Sequence, residues 1–328
     1  MPGKNQQHKA QGSETKDRSQ TQRIFDVIII GGGPAGLSAA MWCDELSLKT
    51  LLLESKSELG GQLLRVYNPV KNHLGVETDS GRRLRDIFVR QIKKRDFALR
   101  LDSKVSSVEL KNKSVFLENG GQFSARSLII ATGVRRRKLN LQGEEKFQNR
   151  GIIESGQLDQ KSVAGKNVLI VGGGDAALEN ALILSERAER VFLVHRRPDF
   201  RARREFVEGV LSNPKIKVLT ETTVEELIGE RAVEAVKLKN LATNDIFALP
   251  IAAVLVRIGV EPNSELFDGK LKLDENRYIK VSASCETSAD RVFAVGDVAN
   301  PLSPTVSGAV GMGATAAKVI FDKLQRER

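Results

Sequence analysis

Two glycine-rich turns are the segments whose residue types and spacing could do chemistry. The first reads Gly31-Gly32-Gly33-Pro34-Ala35-Gly36, and 141 positions later the second reads Gly172-Gly173-Gly174-Asp175-Ala176-Ala177. Glycine permits a sharp bend and lets main-chain N–H groups approach a pyrophosphate closely. A helix that begins at such a turn adds unpaired N–H donors and a partial positive charge. Each turn is therefore predicted to bind the phosphates of a dinucleotide.

Each turn lies between a buried-type strand and a helix of small residues. Residues 27–30 and 168–171 are aliphatic and lead directly into the glycines. A lone glycine-rich turn is often only a tight loop, and it is the strand–turn–helix context that favours a dinucleotide site. Two such units predict an α/β fold with two Rossmann-like, three-layer dinucleotide-binding domains.

The residues after the second strand of each unit predict which nucleotide it binds. Residues 50–53 end at Glu54, a carboxylate placed to accept hydrogen bonds from ribose hydroxyls. The strand at 191–194 is followed instead by one histidine and three arginines, His195, Arg196, Arg197 and Arg201. Arginine pairs with a 2′-phosphate, which a carboxylate would repel. We therefore expect FAD, or NAD, in the first unit and NADPH in the second. The alternative for the arginines is a solvated basic start of a helix.

With these motifs in place, the chain resembles the two-domain FAD/NAD(P)-binding flavoprotein reductases. This family includes the low-molecular-weight thioredoxin reductases and the thioredoxin-reductase-like ferredoxin–NADP reductases. The resemblance extends from Ile24 to the C-terminus and also rests on residues 60–63, 131–133 and 293–297. It implies FAD and NADPH as cofactors, a flavin that carries the chemistry without catalytic side chains, and a homodimer.

The resemblance also implies where individual residues contact the cofactors. Asp297, next to Gly296, would bind a ribityl hydroxyl of FAD, and Gly61 and Gln62 would lie along the flavin. Asn72 would lie close to the isoalloxazine ring. The other expected cofactor-binding residues are Val105, Ala131, Thr132, Gly133, Thr305, Ile258 and Gly259.

The order of the motifs predicts the domain organisation. Residues 1–23 are polar and basic, with almost nothing to bury, and are predicted to form a disordered tail. Residues 24–140 and 259–328 are predicted to form the FAD-binding domain, into which residues 141–258 are inserted as the NADPH-binding domain. Gly133 and Gly259 then bracket two adjacent strands that could act as a hinge.

The sequence departs from thioredoxin reductases at the residues that would handle thiols. Those enzymes carry a Cys-x-x-Cys just upstream of the second turn, whereas residues 150–159 contain no cysteine. The chain has only Cys43 and Cys285, and neither lies in a Cys-x-x-Cys, the motif that lowers a thiol pKa. In addition, Pro304 and Thr305 stand where those enzymes usually have Arg-Gln near the flavin.

We therefore expect an enzyme that passes electrons from NADPH through FAD to a non-thiol acceptor, either an acidic protein such as ferredoxin or flavodoxin or a small molecule. The net charge is +10, of which about +7 lies outside residues 1–23, and it would attract an acidic partner. Two alternatives stay open. One is a thioredoxin-reductase-like disulfide oxidoreductase that uses Cys43, Cys285 or a partner's thiols. The other is a flavin-holding binding or sensor protein, with a second flavin in the nucleotide site.

Composition argues against several other classes of protein. Aromatic residues are only 5% of the chain and no nucleic-acid-binding motif accompanies the basic clusters, so ordinary solvated faces are a better interpretation than nucleic acid. No apolar run approaches a membrane span, and the polar N-terminus predicts no signal peptide. Two cysteines without an evident pairing fit a reducing cytoplasm, and three histidines without a cysteine or carboxylate cluster predict no metal site.

Overall fold

A computed structural model describes residues 24–327, so the tail predicted at 1–23 lies outside the described residues. The strands are β1 (Ile24–Ile30), β2 (Thr50–Leu53), β3 (Ala98–Arg100), β4 (Val105–Glu109), β5 (Ser114–Leu117), β6 (Gln122–Ile130), β7 (Val134–Arg136), β8 (Asn167–Val171), β9 (Arg190–Val194), β10 (Ile216–Leu219), β11 (Thr222–Ile228), β12 (Ala235–Asn240), β13 (Ile246–Pro250), β14 (Ala253–Val256), β15 (Val260–Pro262) and β16 (Val292–Ala294). The α-helices are α1 (Pro34–Glu45), α2 (Gly81–Ile92), α3 (Gly156–Asp159), α4 (Asp175–Ser185), α5 (Arg204–Ser212) and α6 (Val306–Gln325). Short 3-10 helices lie at Gly61–Arg65, Glu144–Phe147, Glu265–Phe267 and Gly296–Val298.

The first sheet is built around β1 and is covered on both faces. Strands β3, β2, β1 and β6 are parallel neighbours in that order, and β16 also pairs in parallel with β6. Val27 and Ile29 pack against α1 and α6, whereas Ile28 and Ile30 pack with the apolar residues of β4 and β5. This alternation follows from the two-residue period of a strand and explains the uninterrupted aliphatic run in the sequence.

The second sheet is parallel, with strand order β10-β9-β8-β14. Val168 and Ile170 face the apolar side of α4, whereas Leu169 and Val171 pack against an antiparallel sheet formed by β11, β12 and β13. Strands β9 and β10 lie on one side of β8 and β14 lies on the other, so the strand order reverses between β8 and β14. In open α/β sheets, ligands bind at the carboxyl ends of the strands at such a reversal.

Two short strands connect the halves of the chain. β7 follows Gly133 and pairs antiparallel with β15, which follows Gly259. Both glycines have positive φ angles, 64° and 92°, which glycine adopts without strain. The pair is reinforced by Asn263, whose amide Nδ2 donates to the carbonyl oxygen of Thr132 at 2.7 Å. The predicted adjacency of the two strands is confirmed, while their action as a hinge and the boundaries at 140 and 258 stay predictions.

The longest helix of the described residues, α6, packs closely on α1. Gly313 of α6 faces the carbonyl oxygen of Ala35, and a methyl group at position 313 would clash with it. In residues 24–327 no helix is both long enough and apolar enough to cross a membrane. Across the same range, no three His, Cys, Asp or Glu side chains gather in a way that could hold a metal ion.

Candidate functional site

The first glycine turn is a close crossing of three main chains. Gly31 has a φ of 110°, and a side chain there would collide with the carbonyl oxygen of Ala131 at the end of β6. A methyl group on Gly36 would collide with the carbonyl oxygen of Gly31. Gly33 faces Gly61, since a methyl group on Gly33 would lie 3.7 Å from the Gly61 Cα atom. The loop at 60–65 therefore lies over the turn, and α1 begins there with Pro34 in its first turn.

The side chain of Glu54 holds the first glycine turn in place by hydrogen bonds. Its side chain is buried at the end of β2, and Oε2 accepts a hydrogen bond from the main-chain N–H of Gly32 at 2.8 Å. Oε1 accepts from the N–H of Lys56 at 2.9 Å. The carboxylate thus orients the glycines, and its contact with ribose hydroxyls stays a prediction.

Asp297 supplies an unpartnered carboxylate beside the turn. Its neighbour Gly296 has a φ of 72° and packs so closely on Ala35 that a methyl group there would lie 2.8 Å from the Ala35 Cβ. Burial raises the pKa of the half-buried Asp297 carboxyl. Within the described residues, this carboxylate accepts no hydrogen bond and forms no ion pair. A half-buried acceptor without a protein donor fits the hydroxyl groups of FAD.

The other residues predicted at FAD fall into two groups. Three lie next to the turn, at the connecting strands or at the start of α6: Gln62 Nε2 donates to the carbonyl oxygen of Val134 at 2.6 Å, Thr132 Oγ1 donates to that of Asn263 at 2.7 Å, and Thr305 caps α6 by accepting from Gly308 N–H at 3.0 Å. Two lie apart from them, since Val105 is buried in the core next to Leu117 and Asn72 is exposed on the loop at 71–75. Their contact with FAD stays a prediction.

The second glycine turn resembles the first, but its third glycine has free space around it. Gly172 has a φ of 152° and faces the carbonyl oxygen of Arg257, and Gly173 faces the His195 ring. Nothing lies within 4 Å of a methyl group built on Gly174. The turn therefore leaves space at the N-terminus of α4, where a pyrophosphate would meet main-chain N–H groups.

The basic residues 195–197 and 201 follow the carboxyl end of β9. His195 Nε2 lies 3.1 Å from the carbonyl oxygen of Asp199, and the ring stacks on Phe200. Burial lowers the pKa of His195, and the charges of the three nearby arginines lower it further. These arginines, Arg196, Arg197 and Arg201, form no side-chain hydrogen bond or ion pair with any residue in 24–327. Three unpaired guanidinium groups fit a 2′-phosphate.

Asp175 has a protein partner that the sequence did not indicate. Its carboxylate accepts hydrogen bonds from the main-chain N–H of Arg203 at 2.7 Å and from Arg203 Nε at 2.8 Å. These bonds hold the pKa of Asp175 below its usual range. Asp175 thus ties the chain before α5 to the start of α4, and its contact with the nucleotide stays a prediction. Ile258 and Gly259 lie at the carboxyl end of β14, the edge where that nucleotide is expected.

Both cysteines are buried in one apolar core between α1 and α6. Burial raises the pKa of Cys43 to about 12 and that of Cys285 to about 11, so both are protonated thiols at neutral pH. Thiolates, not thiols, attack disulfides. The arrangement therefore gives no support to a route through these two cysteines.

Comparison with known proteins agrees with this geometry. The profile of one protein family, described as "Pyridine nucleotide-disulphide oxidoreductase", matches residues 25–313. Thioredoxin reductase from Treponema pallidum is 37% identical over 89% of this chain and 95% of that protein, and the one from Rickettsia conorii is 35% identical with the same coverage. The crystal structure of Lactococcus lactis thioredoxin reductase is similar with a TM-score of 0.83 at 30% identity, covering 92% of this chain and 99% of that one.

The fold and the two turns define a flavin-dependent oxidoreductase that uses FAD and NADPH and has two Rossmann-like domains. The chain belongs to the pyridine nucleotide-disulphide oxidoreductase family and is similar to thioredoxin reductases over most of its length. The family resemblance predicted from the motifs is confirmed. The relatives described above give no support to a ferredoxin or flavodoxin acceptor, because they are named thioredoxin reductases.

The sequence did not identify three residues that contact one another near the second turn. Arg136, Glu154 and Arg257 converge where β7, β14 and the loop before α3 meet. Arg136 was visible only as part of a basic cluster at 135–138. The one sequence signal for Arg257 is an arginine that directly follows the buried aliphatic strand at 253–256.

Proposed function

We propose that this protein oxidises NADPH and delivers electrons from its flavin to an external acceptor without a thiol relay within the chain. The supporting observation is the combination of two intact nucleotide turns with only two cysteines, both buried and protonated. The bound flavin supplies the redox chemistry, accepting a hydride and releasing electrons singly or in pairs. In the same proposal the chain is a cytoplasmic homodimer with domains divided near residues 140 and 258.

The residues of the chain bind and orient the nucleotides. In this proposal the first turn and Asp297 bind FAD, and the second turn and the three unpaired arginines bind NADPH. No side chain has to act as an acid or base, because hydride transfer depends on the distance and alignment of the two rings. The loop at 60–65 and the carboxyl ends of β8 and β14 would set that alignment.

The acceptor is the part of the proposal with two candidates. A basic segment favours an acceptor that is an acidic redox protein of the ferredoxin or flavodoxin type. Residues 65–95 contain nine Lys or Arg and three acidic residues. Six of these basic side chains are exposed and form no ion pair with any described residue: Arg65, Lys71, Arg83, Arg90, Lys93 and Lys94. Reduction of a partner's disulfide, as in thioredoxin reductases, is favoured by the named relatives.

The proposal predicts that anaerobic mixing with NADPH bleaches the yellow flavin band of the purified protein. The bleached protein should then reduce an artificial acceptor, and a panel of ferredoxin, flavodoxin and oxidised thioredoxin would identify the physiological class. The flavin-to-protein ratio should be one, and a ratio of two would favour a second flavin in the nucleotide site. Absence of both bleaching and diaphorase activity would refute the proposal.

The buried thiols predict that Cys43→Ala/Cys285→Ala keeps its acceptor reductase rate within about twofold of wild type. Two protonated thiols in an apolar core supply no nucleophile, and their loss costs only about 1–2 kcal/mol of packing. The measurement is the steady-state rate with each acceptor at equal flavin content. Loss of disulfide reduction with diaphorase activity intact would instead show that one of these cysteines relays electrons.

A further inference from the structure

Two arginines from different segments share one main-chain acceptor. Arg136, at the end of β7, donates from Nη1 to the carbonyl oxygen of Glu154 at 2.7 Å. Arg257, which follows β14, donates from Nη2 to the same oxygen and from Nη1 to the carbonyl oxygen of Val256 at 2.8 Å. We call Arg136, Glu154 and Arg257 the arginine clamp.

The clamp lies on the edge of the second sheet where a nucleotide is expected. Ile152 is bridged in parallel to Val254, so Glu154 lies beside the carboxyl end of β14. The N–H of Arg257 donates to the carbonyl oxygen of Val171 at 2.7 Å, directly before the second glycine turn. The clamp therefore adjoins the reversal between β8 and β14, toward which the nicotinamide half of a bound NADPH extends.

The opposite side of the clamp reaches the loop over the first turn. Arg136 Nη2 lies 3.5 Å from the carbonyl oxygen of Arg65, which ends the 3-10 helix Gly61–Arg65. In the same loop, Gln62 donates to Val134, two residues before Arg136. One side chain thus links the loop at 60–65, which we call the flavin loop, with strand β7 and the edge of the second sheet.

The two guanidinium groups of the clamp are partly buried and close together, which disfavours their charged forms. Burial and the charge of Arg136 lower the pKa of Arg257 to about 10, and burial lowers the pKa of Arg136 as well. Both guanidinium groups stay charged at neutral pH. Two carboxylates oppose this lowering of the Arg257 pKa, Glu154 and Asp159. Glu154 Oε2 lies 3.6 Å from Arg136 Nη1 and is buried without a hydrogen-bond donor among the described residues. Buried ionic contacts add little net stability and can instead fix a single geometry.

We propose that Arg136 and Arg257 are positioning residues, which hold the nicotinamide-binding edge of the second sheet at a fixed distance from the flavin loop. This inference rests on the proposed NADPH-to-flavin activity. The shared carbonyl oxygen of Glu154 is the fixed point, because both arginines donate to it from different segments. Neither arginine has to touch the nucleotide, since each acts through the loop and edge that it joins.

The test is the double variant Arg136→Gln/Arg257→Gln in the flavin-loaded protein. We expect the limiting rate of flavin reduction at saturating NADPH to fall by about 10- to 100-fold, because small misplacements of reacting groups have effects of this size. The Kd for NADPH should change by less than about threefold, since the arginines at 196, 197 and 201 are untouched. Hydrogen–deuterium exchange should become faster in peptides covering 61–66 and 150–159.

Arg326→Gln is the matched control, because Arg326 is an exposed arginine directly after α6 and its one ion pair within residues 24–327 is with Asp322. It should change neither the rate nor the exchange.

Unchanged rate and exchange in the double variant would overturn the inference, and so would a lower melting temperature with an unchanged limiting rate. If the double variant loses flavin, the same measurements on Arg136→Gln decide the question. A wild-type protein that NADPH does not reduce refutes the proposed function, while the exchange comparison still tests the clamp.

Discussion

Replacing Arg196 and Arg197 together with alanine should raise the KM for NADPH by about 100-fold or more and leave the KM for NADH nearly unchanged. Each charge-assisted hydrogen bond to a phosphate contributes about 1.5 kcal/mol or more, and two such losses correspond to about 3 kcal/mol. NADH lacks the 2′-phosphate, so it loses nothing. The measurement is steady-state diaphorase activity with each nucleotide, at equal flavin content.

The control for this prediction is a pair of arginines at the other end of the same strand. Arg187 and Arg190 are exposed where the chain enters β9, and Arg187→Ala/Arg190→Ala removes the same charge. This variant should keep the preference for NADPH, because its charges lie at the amino end of the strand. Equal use of NADH and NADPH by the wild-type protein would contradict the assignment of the three arginines.

The elements around the two turns could be predicted from the sequence because their signals are local. An aliphatic run, a set of glycines and a helix of small residues are contiguous, and β1 and β8 end where the glycines begin. The antiparallel sheet of β11, β12 and β13 is a different case. It covers one face of the second sheet, and the sequence analysis did not anticipate it. Its short strands, such as Ala235–Asn240, mix charged and apolar residues without a long buried run.

The contacts within the site could be predicted less well than its motifs. Asp297 is far from the first turn in the sequence and comes beside it only when the chain folds. Its position could therefore be predicted from the family resemblance but not from local sequence signals. The pairing of Asp175 with Arg203 was not predicted, because the sequence around a carboxylate does not indicate which distant residue will bind it. The arginine clamp was missed for a more general reason. Its shared acceptor is a main-chain carbonyl oxygen, which every residue possesses.

The burial of the cysteines changes how the missing Cys-x-x-Cys is interpreted. The sequence alone left open a second route through Cys43 or Cys285. Both lie in the core between α1 and α6, with thiol pKa values raised by burial. An acceptor, whether iron–sulfur, flavin or disulfide, would therefore have to receive electrons from the flavin directly. In the proposed function NADPH also has to reduce the flavin directly, so turnover would depend on the separation between the two proposed nucleotide sites, which the arginine clamp spans.

Replacing Gly36 with alanine should abolish flavin retention and lower the melting temperature by roughly 5–10 °C. The added methyl group would meet the carbonyl oxygen of Gly31, and this is main chain that cannot rotate away. Gly31 cannot yield either, because it is pressed against Ala131 and has a φ of 110°. The turn would have to open, and the N–H groups that face the pyrophosphate would lose their alignment.

Gly311→Ala is the matched substitution, because it adds the same methyl group to a helical glycine with nothing within 4 Å. It should keep the flavin and stabilise α6 by about 0.5–1 kcal/mol, since alanine favours a helix over glycine. Flavin content is read from the absorbance ratio and stability from thermal melting of the holoprotein. If Gly36→Ala binds flavin as tightly as Gly311→Ala, the first turn is not the FAD site. The methyl group at position 36 distorts this turn, so a bound FAD there would have to be lost.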